Sequence, residues 1–244
     1  MNIFNKKVRT KKSELENIRD LKPEEIAALH NECVSFMLEN HPEEFDKIIA
    51  TGNLVAEVGW FSDFLMERLP ELRYSILNAK AGLIKKLNEY GDNEDDRSRF
   101  ILLVFSEDDF REELEKGNLS SHLIDDVCLL HRYLLQGKDG SEMAQEQWNL
   151  ILNTNYGELD NYAVSCMEAI GNESSELWAD FKFVSKVAGK CPPNGMTCEE
   201  WVIACDAMGG TIGLIFGGLG TVLTSALLSY AAAHECEDCN QPNA

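Results

Sequence analysis

Residues 207–233 read AMGGTIGLIFGGLGTVLTSALLSYAAA and hold no charged side chain. As a single helix this stretch would be about 40 Å long, at about 1.5 Å per residue. That length exceeds the roughly 30 Å hydrocarbon core of a bilayer. The stretch therefore predicts a long apolar helix or a helical hairpin, which either enters a membrane or lies buried at the centre of a soluble bundle.

Small residues recur at every fourth position of this stretch. We call this set the small-residue ridge, and its members are Gly209, Gly213, Gly217, Thr221, Ser225, Ser229 and Ala233. Positions four apart share one helix face, and small residues there let two helices approach closely in a bilayer. The ridge predicts membrane insertion with helix packing or self-association. Glycine costs about 1 kcal/mol relative to alanine in a water-soluble helix, which favours the membrane over the soluble core.

The apolar energy of the stretch is modest. It contains nine Leu, Ile, Phe or Val residues, each contributing roughly −0.3 to −0.6 kcal/mol at the centre of a membrane helix, about −3 to −5 kcal/mol in all. Such marginal insertion is typical of a segment that is soluble in one state and inserted in another. A permanent anchor is usually richer in leucine.

Composition changes sharply near residue 190. All 22 Lys and Arg lie at or before Lys190, whereas five of the eight cysteines lie after it. Lysines before the apolar stretch and acids after it predict a C-terminus that crosses to the outer side of a membrane. We therefore expect a basic flexible N-terminus over residues 1–20, an acidic α-helical pro-domain over 21–190 and a Cys/Gly-rich hydrophobic membrane-active segment over 191–244.

The front of the chain is patterned for helices. Ile26, Leu29 and Cys33 form an apolar stripe at helical spacing, and similar stripes recur through residue 187. Residues 100–105 are a short apolar run that fits either a strand or a helix. The predicted fold class is all-α: a helical bundle followed by a Gly-rich hydrophobic C-terminal helix or helical hairpin.

Cysteine spacing in the tail suggests disulfides. The candidates are Cys191, Cys198, Cys205, Cys236 and Cys239. We predict that Cys198 and Cys205 form a bridge, which requires a turn or a broken helix between them because residues seven apart on a straight helix are about 10.5 Å apart along its axis. Free thiols are an alternative, as is half of a zinc site at the C-terminal C-x-x-C pair. Disulfides imply an oxidising destination for the tail.

Several functions are disfavoured by the sequence. The net charge of −20 argues against nucleic-acid binding, which requires basic side chains. The five histidines form no metal-ligand spacing with one another or with cysteine, and no phosphate-binding loop or nucleophile motif is visible. The sequence therefore predicts no enzyme, no cofactor and no metal. No secretory signal peptide is visible either, so we expect a cytoplasmic precursor whose C-terminal segment is exported or membrane-associated.

Two stretches resemble a known family. The first combines NECVSF (31–36), HPEEF (41–45) and TGN (51–53), and the second runs from residue 197 through two nearby cysteines into the apolar stretch ending at 233. They are similar to the helical pro-region and the toxin segment of precursors in the sporulation-delaying-protein family of bacterial antimicrobial peptides. The resemblance implies a peptide that is released from a precursor and disturbs the membranes of competing cells. This chain departs from the family in its larger front domain, its extra cysteines and the lack of a visible signal peptide.

Three hypotheses follow from these patterns. In the first, the chain is a bacteriocin precursor, its partners are a lipid membrane and immunity, export or processing proteins, and the acidic bundle keeps the tail soluble. In the second, the chain is a helical interaction protein whose tail tethers it to a membrane. In the third, the glycine-rich stretch is a hairpin buried in a soluble helical protein, which a helix break near residues 217–220 would favour.

Overall fold

The computed structural model describes residues 21–40, 54–90, 106–179 and 195–235. These residues are all-α, as the sequence predicts, and none of them lies in a strand. The predicted boundary at residue 190, the N-terminal segment and the apolar run at 100–105 lie outside the described residues. The helices are α1 (Pro23–Asn40), α2 (Leu54–Arg68), α3 (Arg73–Tyr90), α4 (Glu107–Glu115), α5 (Ser121–Leu135), α6 (Ser141–Asn153), α7 (Glu158–Trp178), α8 (Cys198–Gly213) and α9 (Gly218–Glu235).

Side-chain caps define where several helices begin. Ser106 caps α4 by accepting from the Asp109 amide, and Ser120 caps α5 by accepting from the Leu123 amide. Thr197 and Glu200 form a capping box at the start of α8, in which each side chain accepts from the other residue's backbone amide. Each cap satisfies amides that the first helical turn leaves without a partner. Thr197 and Glu200 therefore determine where α8, the first helix of the apolar tail, begins.

Helix α9 lies at the centre of the fold. It packs against α1, α2, α3 and α8, while α8 also packs on α7 and α4. All α9 residues whose side chains are described are buried. Around this centre, α7 packs on α1, and α5 packs on α4 and α6. The helices after residue 195 thus share one hydrophobic core with the helices before residue 180.

Residues 207–233, for which the sequence left open a single helix or a helical hairpin, do not form one continuous helix. Helix α8 ends at Gly213, a 3₁₀ turn follows at Leu214–Phe216, and Gly217 has φ 88° and ψ 178° before α9 begins. That backbone conformation is accessible essentially only to glycine, so Gly217 reverses the chain where a helix would have continued. In the described part of the chain, no helix combines the length and the apolarity needed to cross a membrane.

Candidate functional site: the C-terminal hairpin

The small-residue ridge folds back on itself about Gly217. A Cβ atom built on Gly213 would lie 2.5 Å from the Thr221 Cα, and one built on Gly209 would lie 3.0 Å from the Ser225 Cα. In both pairs the two positions are equally distant from Gly217 along the chain, as expected for two antiparallel arms. Small residues therefore let α8 and α9 meet backbone to backbone, within one chain.

The remaining ridge residues line the same contact or continue it. The Ser225 hydroxyl donates to the Asp206 carbonyl oxygen across the two arms at 2.7 Å. The Thr221 hydroxyl donates to the Gly217 carbonyl oxygen at 3.4 Å, within the start of its own arm. Ser229 and Ala233 are buried further along α9. Ridge residues thus lie between the two arms of one chain, which we call the hairpin (residues 198–235); their predicted role in a membrane stays a prediction.

Two glycines of the front helices receive the tip of the hairpin. A Cβ on Gly82 in α3 would lie 2.9 Å from the Phe216 ring, and a Cβ on Gly117 after α4 would lie 3.0 Å from the Ile215 side chain. Sequence reasoning gave these glycines no role, because both lie far from the tail along the chain. Their contacts appear only in the structure, where the partner side chains come from positions 134 and 98 residues further on.

A buried acid connects the hairpin to the bundle. Asp206 on α8 is fully buried, and its Oδ2 accepts a hydrogen bond from the Trp178 indole Nε1 on α7 at 3.0 Å. Its other oxygen, Oδ1, lies 3.7 Å from Nε2 of His30 on α1, which is also fully buried. Asp206 therefore touches both helices that flank α8 and α9 on this side.

The hydrogen on Nδ1 of His30 follows from its neighbour Asn31. The Asn31 amide nitrogen donates to the Glu173 carbonyl oxygen at 2.8 Å, which leaves its amide oxygen facing the His30 Nδ1 at 2.9 Å. The ring must therefore donate from Nδ1. A neutral His30 then turns a lone pair toward the Asp206 Oδ1, and neither atom has a hydrogen-bond partner among the described residues. Only a proton on one of these two atoms would join them by a hydrogen bond.

Other buried polar groups lie close to the hairpin. Burial raises the pKa of the Glu57 carboxyl on α2 to about 8, and neither of its oxygens has a hydrogen-bond partner in the described structure. The Thr224 and Ser229 hydroxyls on α9 and the Ser174 hydroxyl on α7 also have no hydrogen-bond partner in the described structure. A buried group without a partner costs about 1–3 kcal/mol. We call these buried groups, together with His30 and Asp206, the polar seat of the hairpin. The seat is closely packed but incompletely hydrogen-bonded.

The predicted Cys198–Cys205 bridge is wrong. Cys205 is buried and is not disulfide-bonded, and the same is true of Cys33, Cys128 and Cys166. Both tail cysteines lie on the unbroken helix α8, seven positions apart, and that separation of about 10.5 Å is too long for a disulfide. Cys198 is itself disulfide-bonded. The candidates Cys191, Cys236 and Cys239 lie outside the described residues.

A second polar cluster joins α3 to α4. The Lys86 ammonium lies 2.7 Å from the buried Glu113 carboxylate, whose other oxygen is 3.1 Å from Lys116 and accepts from the Tyr90 hydroxyl at 3.3 Å. Every charge in the cluster has an opposite neighbour, so we interpret it as an ion-pair network that fixes two helices. Among the described residues, no group of His, Cys, Asp and Glu has the arrangement of a metal site.

No protein family, curated protein or solved structure matches the chain. The similarity to the toxin-precursor family therefore rests on the residues quoted for it above. The hairpin and the side chains around it carry the functional interpretation that follows.

Proposed function

We propose that this chain stores a membrane-active hairpin inside an acidic helical bundle, as the precursor of a bacteriocin-like antimicrobial peptide. The stored form is cytoplasmic, and the segment over residues 191–244 acts after release or export. Once free of the bundle, the hairpin would insert into the membrane of a target cell and disrupt it. A lipid bilayer is then its principal partner, together with proteins that process it or confer immunity.

The observation that carries this proposal is the way the two arms meet. Contacts between α8 and α9 are made by the hairpin's own backbone and small residues, such as Gly213 against Thr221. Such contacts do not depend on the front helices. Because van der Waals packing of small residues also holds helices together in lipid, the same contact can persist in both environments. The large apolar side chains of α9 face the front helices in the stored form and would face lipid after release.

The polar seat supports the same proposal. His30 Nε2, Asp206 Oδ1 and the Glu57 carboxyl are buried without hydrogen-bond partners among the described residues. These groups lower the stability of the contact between the hairpin and the front helices, whereas the contact within the hairpin includes the short Ser225–Asp206 hydrogen bond. A contact with the front helices that is incompletely hydrogen-bonded is consistent with a segment that can be released.

Controlled cleavage of the full chain tests the proposal. A specific protease site placed between residues 190 and 195 would separate the hairpin from the front helices without removing either. Dye release from liposomes is measured with the intact chain, with the cleaved chain and with a chain lacking the site after the same protease treatment. We expect release from the cleaved chain alone.

A variant within the cleaved chain separates assembly from insertion. Gly213→Leu keeps the hairpin apolar but prevents the arms from meeting, so it should bind liposomes and release little dye. Leu223→Ala should instead weaken binding to the liposomes. If cleavage produces a soluble hairpin that neither binds nor permeabilises liposomes, the proposal is wrong.

A second candidate is a permanent structural core. The reversal at Gly217 and the fit of Phe216 and Ile215 against Gly82 and Gly117 favour a hairpin that never leaves the bundle. In that case cleavage would leave the two pieces associated on a sizing column and the liposomes intact. The tethered interaction protein gives a third result, in which uncleaved protein is recovered with the membranes of the producing cells.

A further inference from the structure

A cavity of about 440 Å³ lies on the side of α8 that faces away from α9. It opens to the surface and is bordered by α5 and the turn after it, by α6, by α7 and by the first three turns of α8. Its size falls within the range of roughly 300–1,000 Å³ typical of small-molecule sites. The close packing found between the two arms of the hairpin is thus absent from the opposite side of α8.

The cavity has an apolar floor and a polar rim. Its floor consists of buried and half-buried side chains: Leu130, Leu134, Trp148, Met167, Ile203 and Met208. Methionines adapt their shape to flexible apolar ligands, and the Trp148 ring adds a large flat surface. The rim consists of exposed polar side chains: Lys138, Ser141, Gln145, Glu168, Asn172 and Glu200.

We propose that this cavity binds one single-chain amphiphile, with its hydrocarbon chain on the methionine-lined floor and an uncharged, hydrogen-bonding head group at the rim. The rim carries one cation, two acids and three neutral hydroxyl or amide side chains, so it offers hydrogen bonds without a net positive charge. An anionic head would meet Glu168, Glu200 and the field of a chain with net charge −20. The site is independent of the proposed function, because it requires only the folded chain with the hairpin in place and not its release.

One glycine provides a clean way to fill the cavity. Gly171 on α7 lines it, and a Cβ atom built there meets nothing within 4 Å. A leucine at this position would extend into the open space without a clash and would also favour the helix. Gly59 on α2 is the matched control, because it is helical, half-buried, equally unobstructed and outside the cavity.

The test is a binding titration of the full chain with n-dodecyl maltoside below its critical micelle concentration. Binding is followed by calorimetry and by the emission of Trp148, assigned with Trp148→Phe. We expect one ligand per chain, affinity at least tenfold weaker in Gly171→Leu and unchanged in Gly59→Leu. Dodecanoate should bind at least tenfold more weakly than the maltoside.

Both glycine variants should remain folded, with melting temperatures at or above that of the parent chain, which separates loss of the site from loss of the fold. The proposal is overturned if Gly171→Leu binds the maltoside as well as Gly59→Leu does, or if binding to the parent chain does not saturate. Tighter binding of dodecanoate would overturn the assignment of an uncharged head group.

Discussion

The two sides of helix α8 differ in how they are packed. Toward α9, Gly209 and Gly213 bring two backbones into contact and leave no room for a single added carbon. Toward α6, Ile203, Ala204 and Ala207 line an open cavity of about 440 Å³. Helix α8 is therefore packed more closely against α9, its partner in the hairpin, than against the bundle helices around the cavity. The proposed release requires the hairpin to move as one body while the outer helices separate from it.

The largest expected effect comes from closing the space between the arms. In Gly213→Ala the new methyl carbon would lie 2.5 Å from both the Thr221 Cα and the Gly220 carbonyl oxygen. These are backbone atoms, which cannot rotate away, so the arms must separate and the overpacking should cost at least about 3 kcal/mol. Urea denaturation followed by circular dichroism measures the free energy of unfolding.

The control for this variant is the same substitution in an open position. Gly59→Ala adds a methyl group in the interior of α2, where a Cβ meets nothing within 4 Å. It should raise the free energy of unfolding by about 0.5–1 kcal/mol, because alanine favours a helix over glycine. Equal effects of Gly213→Ala and Gly59→Ala would mean that the arms are not in backbone contact.

The second effect depends on pH and acts through Glu57. Burial raises the pKa of its carboxyl from 4.5 to about 8, so the folded state holds a proton that the unfolded state has already lost. Stability from this group is therefore complete below pH 4.5 and is lost as pH rises toward 8, at up to about 1.4 kcal/mol per pH unit.

Glu57→Gln removes this proton linkage while keeping the shape of the side chain. Between pH 5 and pH 8 the free energy of unfolding should fall less steeply with pH in the variant than in the parent, and the difference in slope should correspond to about one bound proton. Above pH 8 the difference in free energy between variant and parent should be constant. Denaturation curves at several pH values measure both slopes. Parallel slopes would show that Glu57 ionises normally in the folded chain and is accessible to water.

The third effect tests the reversal of the chain between the arms. Gly217 has φ 88° and ψ 178°, a conformation that costs other residues about 1–3 kcal/mol. Gly217→Ala should therefore lower the free energy of unfolding by that amount, less than Gly213→Ala does. A gain in stability would mean that the arms join into one continuous helix, since alanine favours the helix that the sequence pattern first predicts.

Periodicity in the sequence was sufficient to predict the helical class. Ile26, Leu29 and Cys33 are buried on one face of α1 as their spacing predicts, and Gly209 and Gly213 do contact another helix. Whether the ridge meets another molecule or its own second half depends on the conformation of one residue. Gly217 looks like any other ridge glycine in the sequence, so spacing alone could not distinguish a long helix from a hairpin.

The polar seat of the hairpin was less predictable. Asp206 immediately precedes the uncharged stretch, and its position next to an apolar run was the one available signal that it would be buried. Its contacts with Trp178 and His30 join residues that are 28 and 176 positions away along the chain. No local pattern encodes such pairings, because they depend on how α1, α7 and α8 are arranged around one another.

The smallest expected effect distinguishes shape from charge at that seat. In Asp206→Asn the amide oxygen can still accept a hydrogen bond from the Trp178 Nε1. The amide nitrogen would take the place of Oδ1, which lies 3.7 Å from the His30 Nε2. Because a neutral His30 presents a lone pair there, the asparagine supplies the hydrogen that is missing between these two groups. We expect the free energy of unfolding to stay within about 1 kcal/mol of the parent or to rise, whereas Asp206→Leu removes the acceptor of Trp178 and should cost about 1–3 kcal/mol. Paired denaturation curves at one pH measure both variants. If asparagine destabilises the chain as much as leucine does, the carboxylate acts through its charge on a protonated His30. A buried ion pair would then hold the hairpin in the bundle more firmly than the cavity on the outer side of α8 suggests.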